Sequence, residues 1–519
     1  MKKLKTIPLG LVKSSLLSYV LVSSPVTAQI VPDSTLPVSS SVQTQGNTSI
    51  LTEGTRAGSN LFHSFEQFSI STGGEASFNN ALDVENIISR VTGSSISNID
   101  GLLRANGRAN LFLLNPNGII LGPNASLDIG GSFLGSTASS LNFADGIQFS
   151  VTALQTTPLL SISVPIGLGF GSNPGRVLVQ GNGQGIRLQT SDLIDTTAGL
   201  LRVQPDQTLA LVGGDVALEG GTLKTAGGRI ELGSVAGAGL VNLTRINTGW
   251  ALSFEGVPAL GDIQLSRQSA VDASGAGGGD IQVQGRQVAL QGGSQIEAST
   301  LGSEPGGTVT VRASESVELI GTTAEGLPAG LFTVSYPGIT GGGGNLIIET
   351  GRLSVRDGAQ ISVSTFGEGS AGTLSINASE SVELIGNAAD YPLGTGLASD
   401  TQGTGAGGNL IIDTRQLNLR GDGVQISAST SGPRAGGNVT LKTEQLSLQD
   451  GAQIGSGTFG EGSAGTLAIN ASESVELSGT SADGRFSTGL FTSVQAGATG
   501  TGGNLIIETE RYAFKMGHR

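Results

Sequence analysis

The side chains that most often perform chemistry are scarce in this sequence. It contains no cysteine and only two histidines, His63 and His518, among 519 residues. A thiolate nucleophile and a cysteine zinc site are therefore excluded, and a histidine-based triad or multi-histidine metal site is not expected. His63 stands between Phe62 and Phe65, a setting typical of a packed strand histidine. We expect no catalytic residues, no cofactor and no metal, and hence no enzyme.

Acidic side chains are plentiful, but their spacing does not suit catalysis. Glu315, Glu380 and Glu473 recur in successive copies of "ASES", whereas cleavage of a polysaccharide needs acids that converge on one groove. A repeated acid indicates a solvated face. The segment "GAGGGDIQV" at 275–283 resembles a calcium-binding nonapeptide, but its aspartate does not recur in tandem, which favours a solvated turn. Because parallel β-helices include polysaccharide lyases and hydrolases, a polysaccharide-active enzyme remains an alternative.

These acids lie within a repeat that determines the architecture. The sequence "GGNLIIETGRLSVRDGAQISVSTFGEGSAGTLSINASESVELIGN" at 343–387 returns in altered form from Gly407 and from Leu446. Residues that follow each glycine pair or Ala-Gly are about 28 apart, or about 37 where a loop is inserted. These residues are Asp280, Thr308, Asn345, Thr373, Asn409, Asn438, Thr466 and Asn504.

Each unit contains three short segments of alternating apolar and polar residues, separated by turn residues. The apolar positions in one unit are Leu346, Ile348, Leu353, Val355, Ile361 and Val363. Three strands and three corners predict one coil of a right-handed parallel β-helix, in which aliphatic side chains stack from coil to coil. The fold class is therefore all-β, a single-stranded solenoid of the pectin-lyase kind, and the 84 glycines suit its corners.

The loops inserted between units hold several of the aromatic residues of this half, among them Phe332, Tyr336, Phe486 and Phe491. If loops leave the rod at one corner, their aromatic side chains line one side of it. An exposed row could bind a partner or a glycan. The favoured expectation is that these side chains fold back over the coil.

The first 28 residues predict a secretory signal peptide. Lys2, Lys3 and Lys5 precede the apolar run "LLSYVLV" and a small-residue "VTA" that ends at Ala28. The run is shorter than the roughly 20 residues of a membrane helix, and no other segment is long and apolar enough to span a bilayer. The remainder carries 23 basic and 41 acidic side chains, which disfavours nucleic acid and anionic lipid as partners.

Two stretches near the N-terminus carry a resemblance. "GSNLFHSFEQFSI" at 58–70 and "NIISRVTGSSISNIDGLLRANGRANLFLLNPNGIILGPNASLDIGGSFLGSTAS" at 86–139 resemble the secretion domain of the filamentous haemagglutinin family. Members of this family are the exported partners of two-partner secretion systems. The resemblance is most specific over 59–143 and continues more loosely to about residue 270. The segment "HSFEQFSI" most resembles the corresponding segment of cyanobacterial members.

The resemblance implies a route and a role. Such proteins cross the inner membrane by the general secretory route, and a dedicated outer-membrane transporter barrel captures the N-terminal domain from the periplasm. The chain passes through the barrel unfolded and winds into a β-helix outside, where it is secreted or held at the cell surface. Members commonly act as adhesins, so a cell-surface glycan or protein receptor is the implied ligand.

The family's secretion motif matches a run of five residues: Asn115, Pro116, Asn117, Gly118 and Ile119. Proline fixes φ and Asn-Gly accepts positive φ, so the run predicts a tight corner between the buried strands "LFLL" and "IIL". The asparagines either hold this corner by bonding to the backbone or contact the transporter, and both readings stay open. In place of an earlier "NPNL"-type motif the chain has only "NNAL" at 79–82, which places contacts assigned to that motif in doubt.

The sequence therefore predicts a signal peptide at 1–28, a secretion domain at 29–270, and repeated β-helix coils at 271–510. A solenoid needs a cap, because its first coil otherwise exposes apolar interior and an unpaired edge, and we assign this role to the secretion domain. The last nine residues, "RYAFKMGHR" at 511–519, depart from the repeat. They are expected to leave the last coil without its second and third strands, as in a truncated fragment of a longer adhesin.

Overall fold

The computed structural model describes residues 29–152, 160–185, 201–247, 249–386 and 394–515. Within these ranges the chain forms strands, turns and bends; it has no helix, and so none that is long and apolar enough to cross a membrane. The signal peptide predicted at 1–28 and the last four residues of the tail lie outside the described residues.

The N-terminal part of the chain contains 24 strands. They are β1 (Ile30–Pro32), β2 (Ser40–Gln45), β3 (Thr48–Glu53), β4 (Thr55–Ala57), β5 (Asn60–Phe68), β6 (Glu75–Phe78), β7 (Asn86–Val91), β8 (Ser97–Ile99), β9 (Leu102–Ala105), β10 (Asn110–Leu114), β11 (Ile119–Leu121), β12 (Ser126–Asp128), β13 (Phe133–Ser136), β14 (Ser140–Phe143), β15 (Gln148–Ser150), β16 (Pro165–Phe170), β17 (Val177–Gln180), β18 (Leu201–Arg202), β19 (Thr208–Gly213), β20 (Val216–Glu219), β21 (Thr222–Lys224), β22 (Arg229–Ser234), β23 (Gly239–Ile246) and β24 (Gly249–Ser253).

The repeated part adds 17 strands. They are β25 (Ile263–Ser266), β26 (Ala270–Asp272), β27 (Asp280–Gln291), β28 (Gln295–Glu297), β29 (Thr308–Ile320), β30 (Gly330–Phe332), β31 (Asn345–Arg356), β32 (Gln360–Ser362), β33 (Leu374–Ile385), β34 (Gly396–Ala398), β35 (Leu410–Arg420), β36 (Gln425–Ser427), β37 (Val439–Gln449), β38 (Gln453–Gly455), β39 (Leu467–Ser478), β40 (Gly489–Phe491) and β41 (Leu505–Lys515).

Two parallel sheets wind along the molecule as a β-helix, as the repeats predict. Sheet A has 21 strands, among them β5, β7, β10, β13, β19, β22 and every odd-numbered strand from β25 to β41, and sheet D has ten, from β18 to β40. Successive coils pair residue for residue: Leu346 lies opposite Leu374, and Leu374 opposite Leu410. Inserted loops therefore leave the stacking register unchanged.

The interior of the solenoid is the aliphatic stack that the alternation predicts. The six apolar positions of the unit at 345–363 are each at most 1% exposed: Leu346, Ile348, Leu353, Val355, Ile361 and Val363. Five of the six, all but Val363, lie opposite an aliphatic residue of the next coil, so burial of one coil's side chains depends on its neighbours. This explains why such units occur in series.

The first two segments of each unit form one bent strand rather than two. "NLIIET" and "RLSVR" are both part of β31, and the bend appears as a register shift between Thr350 and Arg352 against β33. Hydrogen bonding to neighbouring coils continues on both sides of the bend, so the corner does not end the strand. The third segment stands alone as the three-residue strand β32.

One corner of the coil is built from a polar ladder beside a column of glycines. The Asn345 side chain accepts a hydrogen bond from the Thr373 amide at 2.9 Å, and Asn438 does the same for Thr466 at 2.8 Å. Next to it, a Cβ at Gly437 would overlap the carbonyl oxygen of Gly408. The "GGN" and "AGT" repeats therefore reflect close backbone approach between coils.

Antiparallel strands close the N-terminal end of the helix. β1 and β4 both pair antiparallel with β5, and the β2–β3 hairpin pairs with β6 through β3. The first coil thus has no free edge in sheet A or in the short sheet β12-β9-β6-β3-β2, here called sheet B. The predicted cap is present, and it is made of the segment before Asn60.

A second apolar core lies outside the solenoid. The antiparallel strands β15-β14-β16-β23-β24, here called sheet C, cover the outer face of the first coils, where Phe62 and Phe112 are at most 1% exposed. Strands such as "NLFLL" are consequently buried on both faces and read as continuous apolar runs. The lone tryptophan, Trp250, packs on Phe112 with ring centres 5.6 Å apart.

The expectation that the last coil lacks its second strand is wrong. β41 continues to Lys515, and Arg511 and Tyr512 pair in register with Ser474 and Val475 of β39. "RYAFK" keeps the alternation of the template "RLSVR", with Tyr512 at the position of Leu353. The change of sequence at 511 therefore preserves the strand.

Candidate functional site

The motif at 115–119 forms the predicted tight corner between β10 and β11. The Gly118 amide donates to the Asn115 carbonyl at 3.1 Å and closes a turn over Pro116 and Asn117. The corner is fixed on both sides: the Asn115 amide donates to Ser136 O at 2.9 Å, and Pro116 O accepts from the Gly175 amide at 2.8 Å. Two later segments of the chain thus hold it in place.

Asn115 is committed to holding this corner. Its side chain is 0% exposed, and Nδ2 donates to Ser95 O at 3.0 Å and to Ser97 Oγ at 2.9 Å. Its Oδ1 accepts from both the backbone amide and the side-chain amide of Asn117, each at 3.0 Å. Both polar atoms are used inside the protein, so this side chain presents nothing to a partner.

The outer part of the corner is accessible. Asn117 is exposed and Pro116 is half-buried, although Asn117 Nδ2 also donates to Gly93 O at 2.7 Å. Gly118 has φ +134°, and a Cβ there would lie 3.1 Å from Arg176 O. Ile119 is fully buried in the interior. The five motif residues therefore divide into an internal set and a small outward surface at Pro116 and Asn117.

The "NNAL" segment forms a second corner, stacked on the next coil. Asn80 is buried; its Oδ1 accepts from the Asn106 amide at 2.9 Å, while Asn106 Nδ2 donates to Asn79 Oδ1 at 3.1 Å. Leu82 is 79% exposed. The corner is internally bonded like that at Asn115, with one apolar side chain pointing outward.

A buried arginine joins the cap, the first coils and sheet C. Arg90 is 2% exposed; its guanidinium donates to Ser64 Oγ and Thr35 Oγ1, each at 2.8 Å, and to the Ser150 carbonyl. Desolvation lowers the pKa of Arg90 to about 10, opposed by the charge of Asp33. Arginine suits this position because its fork of donors reaches several acceptors at once.

Asp33 is the acidic counterpart of this cluster. Its carboxylate accepts from Ser64 Oγ at 2.7 Å, from Thr92 Oγ1 at 2.5 Å and from the Thr35 amide at 2.9 Å. Burial raises the pKa of this carboxyl, but its hydrogen bonds with Thr35, Thr92 and Ser64 outweigh that effect and leave the pKa below its ordinary value. The segment before β2 is thereby tied to β5 and β7.

Sequence reasoning missed a ladder of asparagines in the first coils. Asn86 Nδ2 donates to Asn60 Oδ1 at 2.8 Å, and Asn110 Nδ2 donates to Asn86 Oδ1 at 3.0 Å. Their signal is an asparagine before each apolar run, "NLFHSF", "NIISRV" and "NLFLL". The spacing is uneven and shorter than the later repeat, so a search at the later period does not find it. Coils therefore begin at Asn60.

His63 and the acids behave as their sequence contexts predict. His63 is 1% exposed, bonds Ser40 Oγ through Nδ1 at 2.9 Å, and has its pKa lowered to about 4 by burial. Glu315 pairs with Arg286 at 2.8 Å and Glu380 with Arg352 at 3.1 Å, each toward the preceding coil.

The aspartate of the glycine-rich segment 275–283 forms hydrogen bonds with other groups of the protein. Asp280 accepts from the Thr308 amide and from Arg229, both at 2.9 Å. Across the described ranges, no group of three or more histidine, cysteine or acidic side chains is placed to hold a metal ion.

Comparison with known proteins gives a family match over the first half of the chain. Residues 28–283 match the TPS secretion domain. No curated protein is significantly similar. Among solved structures, the chain is similar to the HMW1 secretion domain from Haemophilus influenzae, with 17% identity and a TM-score of 0.47 over 90% of this chain and 97% of that one.

The matched region contains the cap, the asparagine ladder, sheet C and the corner at Asn115. The matched family is a secretion domain, not an enzyme family, and none of these matches points to a cyanobacterial source. From the match over residues 28–283, the chain is a two-partner secretion exoprotein with a TPS secretion domain as its N-terminal half.

Proposed function

We propose that the N-terminal domain is an export address recognised by an outer-membrane transporter barrel, and that the repeated coils form a secreted or surface-held adhesin rod. The observation that carries the first part is the family match over residues 28–283. We place the start of the rod near residue 270, where sheet C has ended and sheet A and sheet D alone continue.

Within the motif we assign two roles. Asn115 is a positioning residue, because its side-chain atoms all bond inside the corner. Pro116 and Asn117 form the outward surface that is available to a transporter. The motif therefore has both roles: Asn115 holds the corner, and Pro116 and Asn117 contact the transporter.

The rod part of the proposal has its support in the arrangement of the coils. Acids and bases on its faces pair between coils, as in Arg312–Glu349 at 2.5 Å and Lys442–Asp413 at 2.8 Å, and these exposed pairs do not converge on a groove. We therefore do not propose the polysaccharide-cleaving alternative. An extended, negatively charged rod suits presentation of a binding surface away from the cell.

Export is tested by fusing residues 1–283 to a reporter in cells that carry the transporter barrel. We expect barrel-dependent release of the reporter. Asn117→Ala should reduce release with only a small loss of stability, since its side-chain bonds lie at the exposed end of the corner, and Asn115→Ala should reduce release together with a larger loss of stability. Asn47→Ala, at an exposed asparagine of another turn, is the matched control and should be exported normally. Release that is independent of the barrel would contradict the export role. Normal release of both motif variants would contradict the motif's role.

The adhesin role needs a separate measurement. Latex beads coated with the chain from residue 29 onward should bind to a cell surface more strongly than beads coated with residues 29–283. Equal binding by the two would place any adhesion in the N-terminal domain and contradict the rod's role.

A further inference from the structure

The rod carries a groove on the outer face of sheet D, across the coils of β34, β36, β38 and β40. Its volume is about 440 Å³, within the range of small-ligand sites. Four coils spaced by one strand separation extend roughly 14 Å along the axis, so the groove is elongated rather than round.

The groove exists because one coil has glycines where its neighbours have side chains. Gly455 lies opposite Phe491 in the next coil and opposite Ser427 in the one before. Gly457 also lines the floor. The missing side chains leave a depression that the Phe491 ring borders on one side.

Two aromatic side chains stand at this depression with exposed faces. Phe459 is 57% exposed and Phe491 is 38% exposed, and both line the groove. The expected fold-back of loop aromatics holds at Phe332 and Tyr336, which are half-buried, and the Tyr336 hydroxyl bonds Glu297 at 3.1 Å. It fails at Phe491 and at Phe486, which is 41% exposed and lies outside the groove. Exposed rings at a concave site are an unusual use of apolar area.

The rest of the lining is hydrogen-bonding. The Asp400 carboxylate is oriented by Ser427 Oγ at 2.6 Å and the Ser429 amide at 2.7 Å, both donating to Oδ1. Its Oδ2 accepts no hydrogen bond from the residues that the structure describes. Amide side chains, Gln425 and Gln453 among them, complete the site, and no lysine or arginine lines it.

We propose that this groove binds a neutral oligosaccharide. The apolar faces of sugar rings stack on the two phenyl rings, while sugar hydroxyls donate to the Asp400 carboxylate and exchange hydrogen bonds with the glutamine amides. No lysine or arginine lines the groove to pair with an acidic sugar, and the net charge of the chain is −14, so acidic saccharides are disfavoured. The elongated shape fits a linear chain of sugars rather than a single ring.

If the rod is the adhesin proposed above, a neutral oligosaccharide is the class of ligand that it binds. Only this biological meaning rests on the proposed function. Binding by the purified chain is independent of export and of cell adhesion. A rod that adheres to cells without binding sugar in this groove would refute the inference alone, and a groove that binds sugar on a chain that does not adhere would refute the adhesin role alone.

The test is calorimetric titration of the chain from residue 29 onward with linear hexasaccharides. Neutral probes are the β-1,4-glucose, β-1,4-N-acetylglucosamine and α-1,4-glucose hexamers, and the acidic probe is the α-1,4-galacturonate hexamer. We expect one neutral probe to bind, with at least tenfold weaker binding by Phe459→Ala and by Phe491→Ala, and severalfold weaker binding by Asp400→Asn.

Phe366→Ala is the matched control: Phe366 is 36% exposed, follows Thr365 as Phe459 follows Thr458, and lies outside the groove. Its binding should equal that of the parent chain, and all variants should unfold at the parent's denaturant midpoint. No binding of any neutral probe at millimolar concentration, equal binding by the Phe459 variant, or tighter binding of the acidic hexamer each overturns the proposal. Saccharide-independent binding of a gelatin-derived peptide that Phe459→Ala abolishes would assign the groove to a protein partner instead.

Discussion

The guanidinium carbon of Arg90 lies 4.3 Å from the centre of the Phe149 ring. Arg90 belongs to the second coil and Phe149 to sheet C, so a cation–π contact joins the solenoid to its antiparallel cover. The same guanidinium reaches Thr35 in the cap. One buried side chain thus links the three parts of the secretion domain.

Arg90→Ala should destabilise the chain strongly. It removes the donor to the Ser64 and Thr35 hydroxyl groups and the positive charge that faces Asp33. Loss of one member of a buried charged cluster costs about 3–5 kcal/mol of unfolding free energy. Denaturant unfolding followed by Trp250 fluorescence measures this loss, since Trp250 is the only tryptophan and lies in sheet C. Arg104→Ala, at a surface pair with Glu75, is the control and should cost below about 1 kcal/mol. Equal effects of the two would refute the linking role of Arg90.

Glu231 should make the chain less stable as pH rises. Its Oε1 accepts from Arg229 at 2.5 Å and from the Leu252 amide at 3.3 Å, but Oε2 is buried without a hydrogen bond. Burial raises the pKa from 4.5 to about 7, so the unfolded chain releases this proton first and stability falls between about pH 4.5 and pH 7.

Glu231→Gln removes that fall. Relative to the parent, the variant should gain on the order of 3 kcal/mol between pH 4 and pH 8, measured by denaturant titration at each pH. A parent–variant difference that is the same at both pH values would show that Glu231 does not titrate in this window.

His63 should act in the opposite direction. Its pKa is lowered from 6.5 to about 4 by burial, so the unfolded chain takes up a proton first and stability is lost as pH falls from about 6.5 to about 4. His63→Gln should abolish this loss, which is on the order of 3 kcal/mol. With both groups present, their effects on stability oppose each other between pH 4.5 and 6.5. In this window the stability of the Glu231→Gln variant should therefore rise with pH, that of the His63→Gln variant should fall, and both should change more steeply than that of the parent. Parallel profiles would contradict this.

Gly118→Ala should strain the motif corner. Its φ of +134° is one that residues with a Cβ rarely adopt, and the added carbon would press on Arg176 O. We expect a loss of about 1–3 kcal/mol in unfolding free energy. Gly237→Ala is the control, because a Cβ there meets nothing within 4 Å, and it should be nearly neutral. A neutral Gly118→Ala would mean that the corner can relax into another turn.

The rod could be predicted from its sequence because each determinant is local. Alternation places Leu346 and Ile348 inward, and repetition places Leu374 and Ile376 beside them. The bend within β31 could not be predicted, since Thr350 and Gly351 resemble a strand end although hydrogen bonding to neighbouring coils continues past them.

The secretion domain was less predictable because its determinants are distant in the chain. Arg90 bonds residues 55 and 60 positions away, and nothing near it in the sequence marks it as buried. The corner at Asn115 was predicted from Pro116 and Gly118, whose backbone preferences are local. The hydrogen bonds of Asn115 to Ser95 and Ser97 depend on the stacking of another coil, which local preference does not encode.

The pairing of whole coils in constant register has a genetic consequence. Because Leu346 meets Leu374, and Leu374 meets Leu410 across an inserted loop, a recombination event that duplicates or deletes one complete unit leaves every remaining column aligned. Each such event changes the length of the rod by one strand spacing, about 4.8 Å. The length of the rod is thus inherited in discrete steps, and related genes can differ in rod length without any change to the secretion domain.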